Sequence, residues 1–215
     1  MNRVVTISGS YGAGGSVIGP AVARHLGVPF LDRAVPARVS TGGPLSTEEA
    51  AVEERTPSLI ERIVATFARL PNAFGPGVPT PEDGFVQEED LRRETESRVR
   101  AFVERHGSGV ILGWGATVIL PEAFHVRLDG PSERRIQRAI EIQGVDRDEA
   151  QRRQDDTDRV RSQYMRRLHG KDWNDLRLYH LVLDTTAMSL ETASQLVAQA
   201  ATSYFAESPL TIRSP

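Results

Sequence analysis

Eight residues near the start, Gly9-Ser10-Tyr11-Gly12-Ala13-Gly14-Gly15-Ser16, have the spacing of a loop that holds phosphate groups, G-x-x-x-x-G-K-[ST], with Gly15 where the lysine would stand. Glycines there let successive backbone N–H groups turn inward around an anion, and the helix that follows points its positive end at the same place. Ser16 is then placed to offer its hydroxyl to magnesium. A bare strand-to-helix turn is the other reading, but Gly12, Gly14 and Gly15 within four residues exceed what turning requires. The missing ammonium must be made good by another cation, because a charge-assisted hydrogen bond contributes about 1.5–3 kcal/mol.

A second cluster lies far along the chain: Arg152-Arg153-Gln154-Asp155-Asp156-Thr157-Asp158-Arg159-Val160-Arg161. On one helix Asp155 and Arg159, and Thr157 and Arg161, are i, i+4 pairs, so a solvated, salt-bridged face explains the run by itself. The competing reading is a lid. In doubly wound sheets the loops at the carboxyl ends of the strands converge on one crevice, where planar guanidinium groups can brace phosphates from the open side. Phosphoryl transfer needs that arrangement, because its transition state spreads charge over the equatorial oxygens and catalysis is mainly positioning and electrostatics.

Composition narrows the remaining chemistry. The 215 residues contain no cysteine, which removes disulfides, thiolate nucleophiles and zinc-thiolate sites, and the five histidines show no metal-ligand spacing. Any metal is expected to be oxygen-bound. A net charge of −3 disfavours a nucleic-acid face, and no apolar run approaches the roughly 18–20 residues of a membrane span. A cytoplasmic protein with a small-molecule partner is the expectation, homo-oligomerisation being left open. Lys171 is the only lysine; coding bias accounts for that skew.

The elements that must position these groups follow from pattern. Val4–Ser8 reads as a strand and Val17–Leu26 as a helix stopped by Gly27 and Pro29; Pro29–Asp32 is a short second strand ending on a carboxylate. From Arg33 to Asp90 the pattern weakens, with breaks at Thr41–Pro44 and Pro71–Gly84. Between them Leu59, Ile60, Ile63, Val64 and Phe67 form an apolar stripe, read as core-facing in preference to an oligomer contact. Helices are expected over Glu88–His106, Pro131–Gln143, Asp146–Leu168 and from Ser189 to about Phe205, and strands at Gly109–Leu112, Phe124–Leu128 and Leu181–Asp184. Strands alternating with helices predict a mostly parallel sheet covered on both faces, and Ser208–Pro215 a loose tail.

Taken together the motifs resemble the cytidylate kinase-like family. Its opening pattern T-I-S-R-E-Y-G-S-G-G-R is met by Thr6-Ile7-Ser8-Gly9-Ser10-Tyr11-Gly12-Ala13-Gly14-Gly15-Ser16, and it too has glycine at the lysine position. Val28-Pro29-Phe30-Leu31-Asp32-Arg33 matches I-P-F-Y-D-R, and Val110-Ile111-Leu112-Gly113-Trp114-Gly115-Ala116 matches V-I-x-G-R-G-A. Asp155-Asp156-Thr157-Asp158-Arg159-Val160-Arg161 looks like the D-D-x-D-R-x-R lid of bacterial cytidylate kinases, and Gly170-Lys171-Asp172-Trp173 resembles T-G-K-D-W. The chain departs from the family at Gly9 and Trp114, where arginine is usual.

The resemblance implies a single α/β domain over residues 1–215, of the P-loop NTPase-type three-layer sandwich with a five-stranded parallel sheet. Residues 33–106 would form an acceptor-side helical lobe and about 144–175 an arginine-rich lid. It implies ATP- and magnesium-dependent transfer to a nucleoside monophosphate, CMP or dCMP. The alternatives are a catalytically silent nucleotide-binding protein and a kinase for a non-nucleotide acceptor. By resemblance, Gly12, Ala13, Gly14, Gly15 and Ser16 hold the donor phosphates, with Ser16 on the metal. Arg159 and Arg161 brace the transferred group while Asp158 holds them, and Arg153 assists. Arg135 and Arg138 lie against the adenine, or on an ordinary polar helix face. Asp32 orients the acceptor or a metal-bound water, or caps a helix. On the acceptor side Arg33 touches the phosphate or is a surface arginine, Trp114 stacks on the base or fills apolar space, and Lys171 is the one ammonium on offer.

Overall fold

The computed structural model describes residues 3–32, 88–113 and 115–207. Of the expected lobe over 33–106, residues 33–87 with the apolar stripe and Arg33 lie outside the described residues, as do Trp114 and the tail from 208.

Five strands, β1 (Arg3–Gly9), β2 (Phe30–Asp32), β3 (Ser108–Leu112), β4 (Phe124–Asp129) and β5 (Leu181–Asp184), form one sheet in the order β2-β3-β1-β4-β5. Every neighbouring pair is parallel, with Val5 in register with Val110 and Phe124, and Asp32 with Leu112. The helices are α1 (Gly15–Leu26), α2 (Glu88–His106), the single turn α3 (Ala116–Ile119), α4 (Ser132–Gln143), α5 (Arg147–His169) and α6 (Leu190–Ala206). This is the covered parallel sheet the pattern predicts and the α/β P-loop kinase-type fold the resemblance implies, with boundaries within a few residues of those read from sequence; α3 is the addition. Among the described residues no helix is long and apolar enough to cross a membrane.

Local chemistry explains the helix ends. Gly27 ends α1 in the left-handed region at φ 65°, its N–H and that of Val28 closing on the carbonyls of Arg24 and Ala23, and Pro29 blocks continuation. The Asp146 carboxylate accepts from the Glu149 amide at 2.8 Å and the Ser189 hydroxyl from Thr192 at 3.0 Å, which satisfies donors that the first turns of α5 and α6 would otherwise orphan.

The two faces of the sheet differ in kind. Side chains alternate along each strand, and Val5, Ile7, Val110, Leu112, Phe124, Val126 and Leu128 all bury against α1 and α6 through Ile18, Val22, Val197 and Ala201. On the opposite face Val4 and Ile111 meet Val99 and Val103 of α2. That second face of the two central strands also carries polar residues: Thr6 and Ser8 of β1 and His125 and Arg127 of β4 are all buried. Parallel strands covered on both sides ordinarily read as unbroken apolar runs, so Ser8 and Arg127, the pair nearest the glycine loop, need a reason.

Candidate active site

The glycine loop leaves the carboxyl end of β1, the central strand, and enters α1. Gly12 and Gly14 adopt φ 74° and 76°, the left-handed region that favours glycine. Neither has room for a side chain. A Cβ on Gly12 would strike the Arg135 carbonyl at the start of α4, and one on Gly14 would lie 2.5 Å from Leu190 Cδ2 at the start of α6. Two helices therefore press on the loop from outside, while Ala13 N–H closes a turn on the Ser10 carbonyl at 3.1 Å. Among the described residues the amides of Gly12, Gly14 and Gly15 have no carbonyl partner, so the concavity keeps donors for an anion at the amino end of α1. Ser16 lies in the first turn of α1, half-buried.

Helix α5 lies over the first half of that loop. Asp158 Oδ1 accepts from the Tyr11 amide at 2.9 Å and its Oδ2 from Arg135 Nη1 at 2.8 Å. Arg161 Nη1 donates to the Gly9 carbonyl, and its guanidinium stands 3.9 Å from Asp158. Arg135 also donates to the carbonyls of Tyr11 and Gly130, at 2.8 and 2.9 Å, so it is sunk between loop and lid. Arg138 is spent differently, on the Thr185 and Met188 carbonyls at 2.7 and 3.1 Å; Thr185 in turn donates to the Ala13 carbonyl at 2.8 Å. The two arginines that the resemblance sets against adenine are thus buttresses of the loop in this structure.

The lid cluster divides. Residues two apart on a helix point about 200° away from each other, so Arg159 and Arg161 cannot share a face. Arg161 turns to the loop, and Arg159 pairs with Asp156 at 2.5 Å on the half-exposed side. Asp155, the i, i+4 partner expected for Arg159, accepts instead from Gln151 at 3.0 Å. Arg153 binds Glu149 at 2.7 Å and meets the loop only through Gln143, which accepts from Arg153 Nη1 and from the Tyr11 hydroxyl, the latter at 2.7 Å. Lys171 is exposed just after α5. Asp32 ends β2 beside Leu112, whose side chain lies 3.4 Å from the position of a Cβ on Gly15. It flanks the loop two strands away, with β3 between.

Several contributors have no place in the sequence reading. Arg127, 3% exposed, donates from Nη2 to Ser10 Oγ and Asp129 Oδ2, each at 3.0 Å, and lies 3.5 Å from the ring centre of Trp173. Asp129 accepts from the Ser10 hydroxyl at 2.7 Å and faces Arg135 at 3.5 Å. Burial pushes the Asp129 carboxyl up, but the Ser10 hydroxyl and the guanidinium groups of Arg127 and Arg135 outweigh it and hold the group below the usual carboxylate range. The available signal was an arginine inside a buried parallel strand and a carboxylate ending it, as Asp32 ends β2.

Three guanidinium groups, of Arg127, Arg135 and Arg161, thus converge on the loop against two carboxylates, of Asp129 and Asp158. The cations beside this lysine-free loop are supplied from β4, α4 and α5, a donor set whose chemistry suits a phosphate.

A crystal structure of an uncharacterized protein from Eubacterium ventriosum shares this fold, with a TM-score of 0.62 at 18% identity over 93% of this chain and 98% of that one. Shikimate kinase from Acinetobacter baumannii in complex with shikimate aligns at a TM-score of 0.48 and 18% identity over 95% of each chain. No curated protein matches the sequence. Residues 4–187 match the cytidylate kinase-like family, and the protein belongs to it, which makes kinase-type phosphoryl transfer from ATP its reaction class.

Proposed function

We propose that the protein transfers the terminal phosphoryl group of ATP, with magnesium, to a nucleoside monophosphate, CMP or dCMP. The observation that carries this reading is the contact of Asp158 and Arg161 with the backbone of Tyr11 and Gly9, which brings a lid of the cytidylate kinase pattern onto the glycine loop. The amides of Gly12, Gly14, Gly15 and Ser16 hold the donor phosphates, that of Ala13 being turned to the Ser10 carbonyl. Arg161 stands at the mouth of the loop, where charge develops on the transferred group, and Asp158 fixes its approach. Asp32, two strands away, orients the acceptor. A bond from the acceptor phosphate oxygen to the γ-phosphorus forms as the bond to the β-phosphate oxygen breaks, leaving ADP.

The residues present fit magnesium. Among the described residues no three His, Asp or Glu side chains cluster as a cation cage. Magnesium in kinases takes one or two protein ligands and completes its shell with phosphate oxygens and water. Ser16 is the ligand the frame provides, and the metal bound there supplies charge neutralisation across the phosphates. CMP or dCMP as acceptor rests on the lid pattern, with Arg33, Trp114 and Lys171 assigned to the acceptor side.

Coupled measurement of ADP release with CMP, dCMP, UMP, AMP and GMP tests the reading, alongside calorimetric ATP binding with and without magnesium. Turnover with CMP or dCMP is expected, and Ser16→Ala should weaken ATP binding only when magnesium is present. Measurable ATP binding with no turnover on any acceptor indicates a silent nucleotide-binding protein. Turnover confined to non-nucleotide acceptors in a wider metabolite screen overturns the acceptor while keeping the chemistry.

A further inference from the structure

A buried guanidinium is costly, and Arg127 is the most deeply buried cation at the site. Its strand partner is Ser8, so it projects from the polar face of the central strands, on the side away from α1. Nη2 serves two acceptors, Ser10 Oγ and Asp129 Oδ2, whereas Nη1 is buried with no hydrogen-bond partner among the described residues. The flat face is covered by Trp173 at 3.5 Å, with Tyr179 further off at 5.9 Å; the Tyr179 hydroxyl donates to the Trp173 carbonyl at 3.0 Å and so fixes the ring that does the covering. An arginine kept only for stability would use both ends of its fork. This one finds no acceptor for Nη1 among the described residues and holds Nη2 on a loop residue and a carboxylate.

The contacts continue in a chain. Asp129, held by Arg127 and Ser10, faces Arg135 at 3.5 Å; Arg135 grips the Tyr11 carbonyl and Asp158; Asp158 accepts from the Tyr11 amide and stands 3.9 Å from Arg161. Trp173, just beyond the end of α5, and Asp158, in its middle, are therefore tied to the same short stretch of loop, Ser10-Tyr11, from two sides.

We propose that Arg127 is a positioning residue for phosphoryl transfer: clamped beneath Trp173, it sets Ser10 and Asp129, and through Asp129 and Arg135 it registers the lid pair Asp158 and Arg161 over a loop that has no lysine. The inference rests on the phosphotransferase reading above. Its consequence is a division of labour. The donor phosphates are held by amides from Gly12 onward, whose conformation is set by α4 and α6. Arg127 governs only the registration of the lid, so it acts on the chemical step and not on ATP capture.

The experiment compares kcat, the ATP dissociation constant and Tm for the parent, Arg127→Met, Arg127→Lys and Ser10→Ala. Arg127→Met should lower kcat at least 30-fold and change the ATP dissociation constant less than threefold. Arg127→Lys keeps the charge but cannot present a planar fork beneath the indole, and should recover less than a tenth of the lost kcat. Ser10→Ala removes only the hydroxyl between guanidinium and loop, and should lower kcat about tenfold at unchanged ATP affinity; it decides the matter if Arg127→Met does not fold. A kcat within threefold of the parent in Arg127→Met or Ser10→Ala overturns the proposal, as does full rescue by lysine or a loss of ATP affinity that matches the loss of kcat. Each of those leaves the phosphotransferase reading standing. A parent that binds no ATP overturns both.

Discussion

Restoring the lysine that the loop lacks is a sharp test of whether its charge has been supplied from elsewhere. Gly15 is the first residue of α1, outside the set of positive-φ glycines, and a Cβ there would sit 3.4 Å from Leu112 Cδ1, close but beside the tip of a flexible side chain. Gly15→Lys should therefore fold. Replacing a helical glycine gains about 0.5–1 kcal/mol, and placing a cation at a helix amino terminus costs about 0.3–1 kcal/mol, so Tm should barely move. On a loop with no other cation, the new ammonium would add a charge-assisted bond of about 1.5–3 kcal/mol, roughly 10- to 150-fold in ATP affinity. Here Arg127, Arg135 and Arg161 already exceed Asp129 and Asp158 by one charge. That surplus repels the new ammonium and turns its flexible stem toward solvent, which cancels the gain.

The expected result by calorimetry is an ATP dissociation constant within threefold of the parent. In an Arg161→Ala background the cancellation is relieved, and Gly15→Lys should then tighten ATP about tenfold, a coupling that a double-mutant cycle reads directly. A tenfold or greater gain from Gly15→Lys in the otherwise unaltered chain would refute the reasoning, because it would mean that the arginines leave the donor phosphates uncompensated.

Two further outcomes follow from the same geometry and its surroundings. Arg161→Ala should lower kcat about 100-fold with ATP affinity kept within threefold, and Arg159→Ala, whose guanidinium pairs with Asp156, should cost at least tenfold less; equal losses would put both side chains over the phosphates after all. Away from the site, burial, with His180 stacked 5.0 Å away, lowers the His125 imidazole to about 4 from 6.5, and Thr6 Oγ1 is 2.7 Å from its Nδ1. The unfolded chain then binds the proton between about pH 6.5 and 4 while the fold does not, so stability is lost on acidification through that window. The loss is at most about 3.4 kcal/mol and about half that after screening. Denaturant midpoints at pH 7 and pH 5 measure it, and a His125→Asn variant with an undiminished pH slope would refute the assignment.

What could be read from the sequence, and what could not, divides by the range of the interactions involved. Helix α2 over Glu88–His106 and the caps at Asp146 and Ser189 were legible because a helix period and a capping residue are written within a few positions of each other. The loop was legible for the same reason. The walls around it were not: Ser10 meets Asp129 119 residues away and Tyr11 meets Asp158 147 residues away, and no local pattern encodes either meeting. The single turn α3 escaped because four residues after Gly115 carry no period. Arg127 could have been found, since a charged residue inside an otherwise apolar strand that must be covered on both faces has to be explained by something at its tip. The division between Arg159 and Arg161 was also calculable, from their two-residue spacing alone. Trp173 was passed over for Lys171 because the ammonium carries the obvious charge, whereas the indole's part depends on a guanidinium 46 positions earlier in the chain.

Moving the cation out of the loop changes when it is present. A loop lysine stands beside the phosphates whatever the rest of the protein does. Arg161 reaches the Gly9 carbonyl from α5, and Arg135 is shared between Tyr11 and Asp158, so both depend on where that helix lies. Asp158 makes the dependence tight, because one carboxylate accepts from the loop amide on one oxygen and from Arg135 on the other. Under the proposed function, charge stabilisation of the transferred group is then conditional on lid placement, and an ATP molecule held by the amides alone would lack it. Water reaching the γ-phosphate without the lid in place would meet a loop without its arginine, which would suppress hydrolysis at the cost of making turnover contingent on α5. That contingency would give the buried network of Arg127, Asp129 and Trp173 its place in the proposed mechanism: with no lysine in the loop, accurate registration of the lid would be the means by which positive charge arrives.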